Sequence, residues 1–218
     1  MAARAESQRI VHAAANVRRW PAALAYLLLG AAYALVSDRL TLGPPWWLLV
    51  LAVAAIVGAR VLRWRGLVQA TRWVVIGSLA AVTLAITVSA GYLVDGLLNH
   101  TVEAGELLRA GALLWGANVL TFALWYWEMD AGGPNHRHLT HCGSTDFAFP
   151  QRVIGGELEA TWVPEFIDYV FLAFNTSTAF SPTDTMVLAR RAKVMMMYQS
   201  IVSLTTVVVL VARAINAI

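Results

Sequence analysis

The chain has 218 residues, of which 59% are hydrophobic and only 13% are charged. The charged share is about half of that in soluble proteins, which argues against a soluble domain and indicates an integral membrane protein. The net charge of +3 does not indicate a nucleic-acid partner, because the arginines stand at the ends of apolar segments. A single cysteine excludes an internal disulfide.

Residues 1–19 are rich in alanine and arginine and predict a cytoplasmic N-terminal tail. A signal peptide also begins with positive charge followed by an apolar run. Here the polar lead is long and the run has the length of a membrane span, so the sequence favours an uncleaved first helix.

Residues 20–128 predict a four-helix transmembrane region. The expected spans are 20–37, 46–62, 73–93 and 107–127. Each has close to the roughly 20 apolar residues that cross a bilayer. Gly30 and Ala34 form a small-xxx-small pair, which predicts the close approach of another helix. Thr83, Thr87 and Gly91 recur every four residues and predict a packed face on the third span.

Residues 129–162 predict a polar cytoplasmic loop. The N-terminal tail and the loop between spans two and three hold most of the arginines, so the positive-inside rule puts both in the cytoplasm. An even number of spans then returns the chain to the same side. These features predict a multi-pass protein of the inner (plasma) membrane with a cytoplasmic N-terminus.

Residues 163–218 predict a short helix, a polar turn and a long last helix. Pro164 opens a helix of about 12 to 16 residues, which at roughly 1.5 Å per residue is shorter than the bilayer core. Ser181-Pro182-Thr183-Asp184 is a helix-start pattern, with Ser at the N-cap and Pro at the first helical position. The sequence favours a re-entrant short helix, which keeps Arg190, Arg191 and Lys193 on the cytoplasmic side, over one that crosses fully.

The polar run between these two helices supplies the candidate site. Hydroxyls and turn carbonyls at membrane depth can replace an ion's hydration shell, or they can satisfy the backbone of a buried helix break. The pore or filter candidates are Asn175, Thr176, Ser177, Thr178, Ala179, Phe180, Ser181 and Asp184. Gln199, Ser203 and Thr206 form one stripe on the last helix; they are candidates for lining a pore or for interhelical hydrogen bonds.

The C-terminal half resembles a family of bacterial multi-pass membrane proteins without an assigned activity, the DUF1345 group. The resemblance covers roughly residues 107–218 and implies no reaction. It rests on Trp125-Tyr126-Trp127-Glu128, Asp130, Gly132-Gly133-Pro134, Phe149-Pro150-Gln151, Trp162, Pro164, Phe166, Asp168-Tyr169 and Thr185-Met186.

The order of a short helix, a polar run, a Pro/Asp element and a last long helix is also similar to the pore module of potassium channels. That resemblance implies that Thr176 to Ser181 occupy the filter position and that Asp184 follows it. The two filter glycines, which let successive carbonyls point inward, are absent. The pore loop would also enter from the cytoplasmic side, the reverse of a potassium channel.

Two further groups of residues, one acidic and one of histidines with a cysteine, have both a functional and a structural interpretation. Glu128, Asp130, Glu165 and Asp168 can attract cations to a cytoplasmic mouth, or they can cap helices and pair with Arg137, Arg152 or Arg190-Arg191. His136, His138, His141 and Cys142 have the chemistry of zinc or copper ligands, but their compact spacing matches no zinc motif, so no metal site is assigned.

These observations predict an all-α integral membrane bundle with five full transmembrane helices and one short, re-entrant helix. The expected function is that of a pore-loop, channel-like protein for a monovalent cation, a homo-oligomer that is tetrameric if it conducts. The alternative is a non-conducting membrane scaffold or accessory subunit. We expect the lipid bilayer as partner, no cofactor and no enzyme activity, since no nucleophile-base pair or phosphate loop is present.

Overall fold

A computed structural model describes residues 18–137, 145–154, 162–178 and 184–215, and these residues form an all-α fold, as predicted. The principal helices are α1 (Trp20–Ala34), α2 (Trp47–Trp64), α3 (Val68–Leu98), α4 (Ala104–Met129), α7 (Phe166–Thr178) and α8 (Arg190–Ile215). Two single-turn helices, α5 (Pro134–Arg137) and α6 (Pro150–Val153), lie between α4 and α7. Short 3₁₀ turns cover Asp38–Leu40 and Asp130–Gly132.

Four of the described helices, α2, α3, α4 and α8, are long and apolar enough to cross a membrane. The prediction of five full spans is therefore wrong by one. Helix α1 has 15 residues, which is about 22 Å and short of the roughly 30 Å hydrocarbon core. It ends early because its last turn tightens: Leu35 and Val36 donate to Ala32 and Tyr33, three residues back.

The first four helices alternate in direction. Arg19, Arg63 and Glu128 line one cavity, so the start of α1 and the ends of α2 and α4 meet at one end of the bundle. We call this the arginine-rich end. At the opposite end, the Arg109 side chain donates to the Leu35 carbonyl at 3.3 Å. Although α1 is short, its ends therefore lie near the two ends of α4.

Helix α4 lies at the centre of the fold and packs against α1, α3, α7 and α8. Its buried residues occupy most sides of the helix, which is typical of a helix surrounded by neighbours. Tyr126 and Phe122 on α4, Tyr169 on α7 and Tyr33 on α1 are among the largest fully buried side chains. The remaining long helices expose apolar side chains along their outer faces, which suits contact with lipid.

Two glycines lie at close helix–helix contacts. A Cβ added at Gly30 would lie 2.7 Å from the Leu49 Cα, so the close approach predicted for Gly30 occurs between α1 and α2. A Cβ at Gly111 would lie 2.6 Å from a methyl group of Leu210, which brings α4 and α8 together. The predicted packed face of α3 is present at Thr83 and Thr87, whose hydroxyls bond to Trp125 and Tyr198. Gly91 is exposed and lies outside it.

Helices α7 and α8 begin at the same end of the bundle. Near the start of α7, the Phe166 ring packs against Trp127 with centroids 5.8 Å apart. Near the start of α8, the Arg191 side chain donates to the Met129 carbonyl at 3.2 Å. Both contacts involve the last turn of α4, at the arginine-rich end. Helix α7 has 13 residues, about 20 Å, so it reaches only part of the way along α4.

Two boundaries differ from the sequence prediction. Asn175 to Thr178 form the last turn of α7, so this part of the polar run is helical. Helix α8 begins at Arg190, and the prediction that it begins at Pro182 is wrong. Pro182 lies outside the described residues. Strand β2 (Met186–Val187) follows and pairs antiparallel with β1 (Phe147–Ala148). The distant pairing strand is not visible in the local sequence, so the local helix-start pattern predicted the wrong boundary.

Candidate functional site

The predicted polar stripe of α8 meets the polar run of α7 in a buried cluster. The Gln199 side-chain amide donates from Nε2 to the Ala173 carbonyl and to the Ser177 hydroxyl, both at 2.7 Å. Its Oε1 accepts a hydrogen bond from the Tyr126 hydroxyl at 2.5 Å. Gln199 therefore joins helices α4, α7 and α8 with one side chain that is fully buried.

A second bridge lies about one turn further along α8. The Ser203 hydroxyl donates to the Ser177 carbonyl at 2.7 Å and accepts from the Trp115 indole nitrogen at 3.0 Å. Asn118 donates to the Gln199 carbonyl at 3.5 Å. The Asn118 Oδ1 atom is buried without a hydrogen-bond partner among the described residues. We call Trp115, Asn118, Tyr126, Ser177, Gln199 and Ser203 the polar cluster.

The remaining candidates bond mostly within their own helices. The Thr176 hydroxyl donates to the Leu172 carbonyl at 2.8 Å, and the Thr178 hydroxyl reaches the Phe174 and Asn175 carbonyls at 3.2 Å. Thr206 is buried and donates to the Val202 carbonyl at 2.9 Å. These bonds match the alternative in which the hydroxyls satisfy nearby backbone.

Three filter candidates, Ala179, Phe180 and Ser181, lie outside the described residues. Asp184 is exposed, whereas Asn175 is partly buried at the last turn of α7. The structure thus brings Ser177, Gln199 and Ser203 together from the predicted set and leaves Asp184 at the surface. Within one chain the polar cluster presents bonded side chains rather than an open path.

A second polar centre closes the arginine-rich end of α4. Asp130 is buried, and its Oδ1 accepts from the Asp146 and Phe147 backbone amides at 2.9 and 3.4 Å. Its Oδ2 accepts from the Tyr169 hydroxyl at 2.5 Å and lies 3.4 Å from the Arg137 Nε. One carboxylate therefore holds α7, the turn after α4 and the start of β1 together.

The charge of Asp130 is balanced by a guanidinium enclosed by aromatic rings. The Arg137 guanidinium carbon lies 4.7 Å from the ring centroid of Trp127 and 4.7 Å from that of Tyr169. Its Nη2 donates to the Trp127 carbonyl at 2.6 Å. A buried cation between two ring faces is stabilised by their quadrupoles, which partly offset its loss of hydration.

Asp146 makes a second ion pair in the same region. Arg191 binds both Asp146 carboxylate oxygens, from Nε at 2.7 Å and from Nη2 at 2.6 Å. The Asp146 carbonyl also accepts from the Leu188 amide at 2.9 Å. This two-pronged contact fixes the start of α8 against the segment that precedes β1.

The pairing alternative is confirmed for two of the four predicted acidic residues. Asp130 pairs with Arg137, and the Asp168 carboxylate caps α7 by accepting from the Glu165 amide at 2.7 Å. Glu128 differs, because it faces Arg19, Arg63 and Arg72 across a cavity without an ion pair within 4 Å among the described residues.

Sequence reasoning missed Trp115 and Tyr126 as members of the polar cluster. Trp115, Asn118, Phe122 and Tyr126 follow one another at spacings of three and four, so they share one face of α4. This spacing was the signal in the sequence. It has the same helical period as the polar stripe of Gln199, Ser203 and Thr206 on α8, so the two faces can pack together. The ion pair of Asp146 with Arg191 had no comparable signal, since 45 residues separate the two in sequence.

The candidate metal ligands His138, His141 and Cys142 lie outside the described residues, and so does the side chain of His136. No family model, curated protein or solved structure matches the chain. The likeness to the DUF1345 group and to potassium-channel pores therefore stays a prediction. What the fold defines is a class: an all-α protein with four long apolar helices, compatible with residence in a membrane.

Proposed function

We propose that this chain is a multi-pass protein of the inner (plasma) membrane that works as a non-conducting scaffold or accessory subunit. Its four long apolar helices support the membrane location. In this proposal the segment at 129–162, on the cytoplasmic side, carries the contacts with partner proteins.

The observation that carries the proposal is the bonding of Gln199. This side chain is fully buried and uses both its donor and its acceptor on groups of the same chain. A residue lining a pore between copies of the chain needs a face open to water, and polar groups inside a membrane otherwise serve to bind helices together. The geometry therefore favours a structural role for the polar cluster.

The proposed topology has α7 re-entrant and the N-terminus cytoplasmic. Helix α7 and helix α8 start beside the same turn of α4, which supports a short helix that enters and leaves on one side. This side also collects the basic residues, as the positive-inside rule favours for the cytoplasmic face. They are Arg19, Arg63, Arg65, Arg72, Arg190, Arg191 and Lys193.

Ion flux measurement tests the proposal. The full chain is reconstituted in liposomes, and potassium and sodium flux are compared with empty liposomes. We expect no difference between the two. A cation flux that Thr178→Ala abolishes, and that Thr205→Ala leaves intact, would overturn the proposal. Thr205, on α8, is a matched control because it is half-buried like Thr178 and its hydroxyl also donates to a carbonyl four residues back.

The second candidate is the pore-loop channel, a homo-oligomer, tetrameric if it conducts, that passes a monovalent cation. The observation that favours it is the order of a half-length α7 and a full-length α8 starting at one end, as in a pore module. Its filter would lie after Ser177, since Ser177 itself is held by Gln199 and Ser203. The same flux measurement separates the two candidates.

A further inference from the structure

A cavity of about 310 Å³ opens at the arginine-rich end, between α2, α3 and the turn after α4. This volume lies at the lower end of the roughly 300–1,000 Å³ found for ligand sites. Its charged lining consists of Arg19, Arg63, Arg72 and Glu128, and Gln69 and Thr71 add polar groups. We call this cavity the arginine cleft.

The arginine cleft carries an excess of positive charge. Three arginines line it, and Glu128 is the only carboxylate among the described residues of its lining. In the part of the chain that the structure describes, neither Arg63 nor Arg72 has a carboxylate oxygen within 4 Å. Burial lowers the pKa of Arg19, and Glu128 opposes that effect. Arg63 is half-buried and Arg72 is exposed beside it, so neighbouring guanidiniums of one sign are available to an anion that enters the cleft.

A smaller, lower compartment of about 90 Å³ lies beside the arginine cleft, between α1, α2, α3 and α4. Arg19, Arg63, Val75 and Glu128 line both spaces, so the two are adjacent. The lining of the lower compartment is mostly apolar; its side chains include Ala55, Ala59, Leu79, Leu124 and Trp127. The arginine cleft is therefore polar, and the compartment next to it is mostly apolar.

The cleft also lies at the level where lipid headgroups are expected. Trp20, Trp64 and Trp73 belong to the same ends of α1, α2 and α3, and they are 66%, 77% and 65% exposed. Exposed tryptophans at helix ends mark the membrane–water interface, because the ring is apolar and its nitrogen donates to water or headgroups. A ligand with a charged group at this level and an apolar part below it matches the space.

We propose that the arginine cleft binds the phosphate group of an anionic phospholipid, with Arg63 and Arg72 as its principal ligands. Both guanidiniums can present paired N–H groups to phosphate oxygens. The apolar part of the lipid lies toward the lower compartment. This inference goes beyond the proposed function and holds whether or not the chain conducts ions. A negative result for lipid binding would therefore not affect the proposed function, and a positive result for ion flux would not affect this inference.

The test uses the full chain in a neutral detergent, titrated with phosphatidylglycerol, with phosphatidylcholine as the zwitterionic control. Native mass spectrometry counts the lipid that stays bound. We expect selective retention of phosphatidylglycerol, and retention about tenfold or more weaker in the Arg63→Gln/Arg72→Gln variant. The matched control, Arg60→Gln/Arg65→Gln, removes the same charge from the same region, but neither residue lines the cleft.

The Arg60→Gln/Arg65→Gln control distinguishes a specific lipid site from general electrostatic attraction between basic residues and an anionic lipid. Equal loss of phosphatidylglycerol in both double variants, or no loss in either, overturns the proposal. Glu128→Gln guards against a variant that merely folds poorly, since removing the competing carboxylate is expected to strengthen binding. Weaker or unchanged binding in Glu128→Gln contradicts the proposal.

Inorganic phosphate, added as competitor, separates a lipid from a free anion. We expect it to displace phosphatidylglycerol poorly, because it has no apolar part to fill the lower compartment. Efficient displacement by inorganic phosphate would overturn the lipid as occupant and leave a site for soluble phosphate compounds.

Discussion

The Tyr126 hydroxyl donates to the Gln199 side-chain oxygen at 2.5 Å, across the buried contact between α4 and α8. The same glutamine donates in the other direction to Ala173 and Ser177 on α7. The Gln199 side chain thus fixes the position of the half-length helix α7 along the two long helices α4 and α8. Its amide needs both ends bonded, because an unpaired polar group in an apolar interior is costly.

Gln199→Leu is expected to destabilise the fold by about 1–2 kcal/mol, the scale of a few interhelical hydrogen bonds in membrane proteins. The leucine fills similar space but leaves the Tyr126 and Ser177 hydroxyls without this partner. Thermal unfolding in detergent, followed by circular dichroism, measures the loss. Thr205→Ala is the control and should unfold like the wild type, because the Thr205 hydroxyl bonds only to the Ile201 carbonyl of its own helix. Equal stability of Gln199→Leu and wild type would contradict this role.

Asp130→Asn is expected to cost about 3–5 kcal/mol, because it leaves the Arg137 charge buried without its counter-ion. Asp130 and Arg137 are only 1% and 2% exposed, so water cannot take over. The double variant Asp130→Asn/Arg137→Gln should recover part of the loss. Strictly additive effects in the two single variants and the double variant would show that the pair is not coupled. Asp184→Asn, at the surface, serves as the control.

Gly30→Ala is expected to destabilise the α1–α2 contact by about 1–3 kcal/mol through overpacking. The added Cβ would lie 2.7 Å from the Leu49 Cα, a backbone atom that cannot move without shifting α2. Gly91→Ala is the matched control, since nothing lies within 4 Å of a Cβ there. That control should be neutral or stabilising, because alanine is favoured over glycine within a helix. Thermal unfolding should therefore show a lower midpoint for Gly30→Ala than for the wild type, and an unchanged or higher midpoint for Gly91→Ala.

Arg191→Lys is expected to weaken the anchoring of α8 although the charge is kept. Arg191 uses two nitrogens on the two Asp146 oxygens, and an ammonium cannot reproduce this planar contact. Hydrogen exchange in the first turn of α8 and in residues 146–148 should rise, whereas exchange near Leu210 should not. If the Arg191→Lys variant raised hydrogen exchange equally along the whole of α8, Arg191 would not be a local anchor.

Much of the fold follows from local sequence signals. Trp46-Trp47 marks the start of α2 within one residue, and the aromatic belt with Gly132-Gly133 marks the end of α4. The chain leaves the helix at Asp130 (ψ 127°) and Ala131 (φ 51°), and the two glycines that follow have positive φ angles, 81° and 105°, which cost glycine little. These signals are local because capping and interfacial preferences act within one turn.

The parts that sequence did not predict depend on distant partners. The segment after Asp184 is extended rather than helical because it pairs with Phe147–Ala148 and with the Asp146 carbonyl. Within the candidate site, the stripe of Gln199, Ser203 and Thr206 could be read from its period, but its partners could not. Only the packed structure brings Tyr126 to Gln199 and Trp115 to Ser203. Thr206 bonds instead to a carbonyl of its own helix.

Cysteine labelling tests most directly whether α7 enters and leaves at one side of the membrane. In a Cys142→Ser background, Asp184→Cys is compared with Arg65→Cys at the arginine-rich end and with Glu103→Cys at the opposite end, all exposed positions. A membrane-impermeant thiol reagent is applied to sealed vesicles of known orientation. We expect the Cys at 184 to react from the same side as the Cys at 65 and from the side opposite to the Cys at 103. Labelling of position 184 together with position 103 would contradict it.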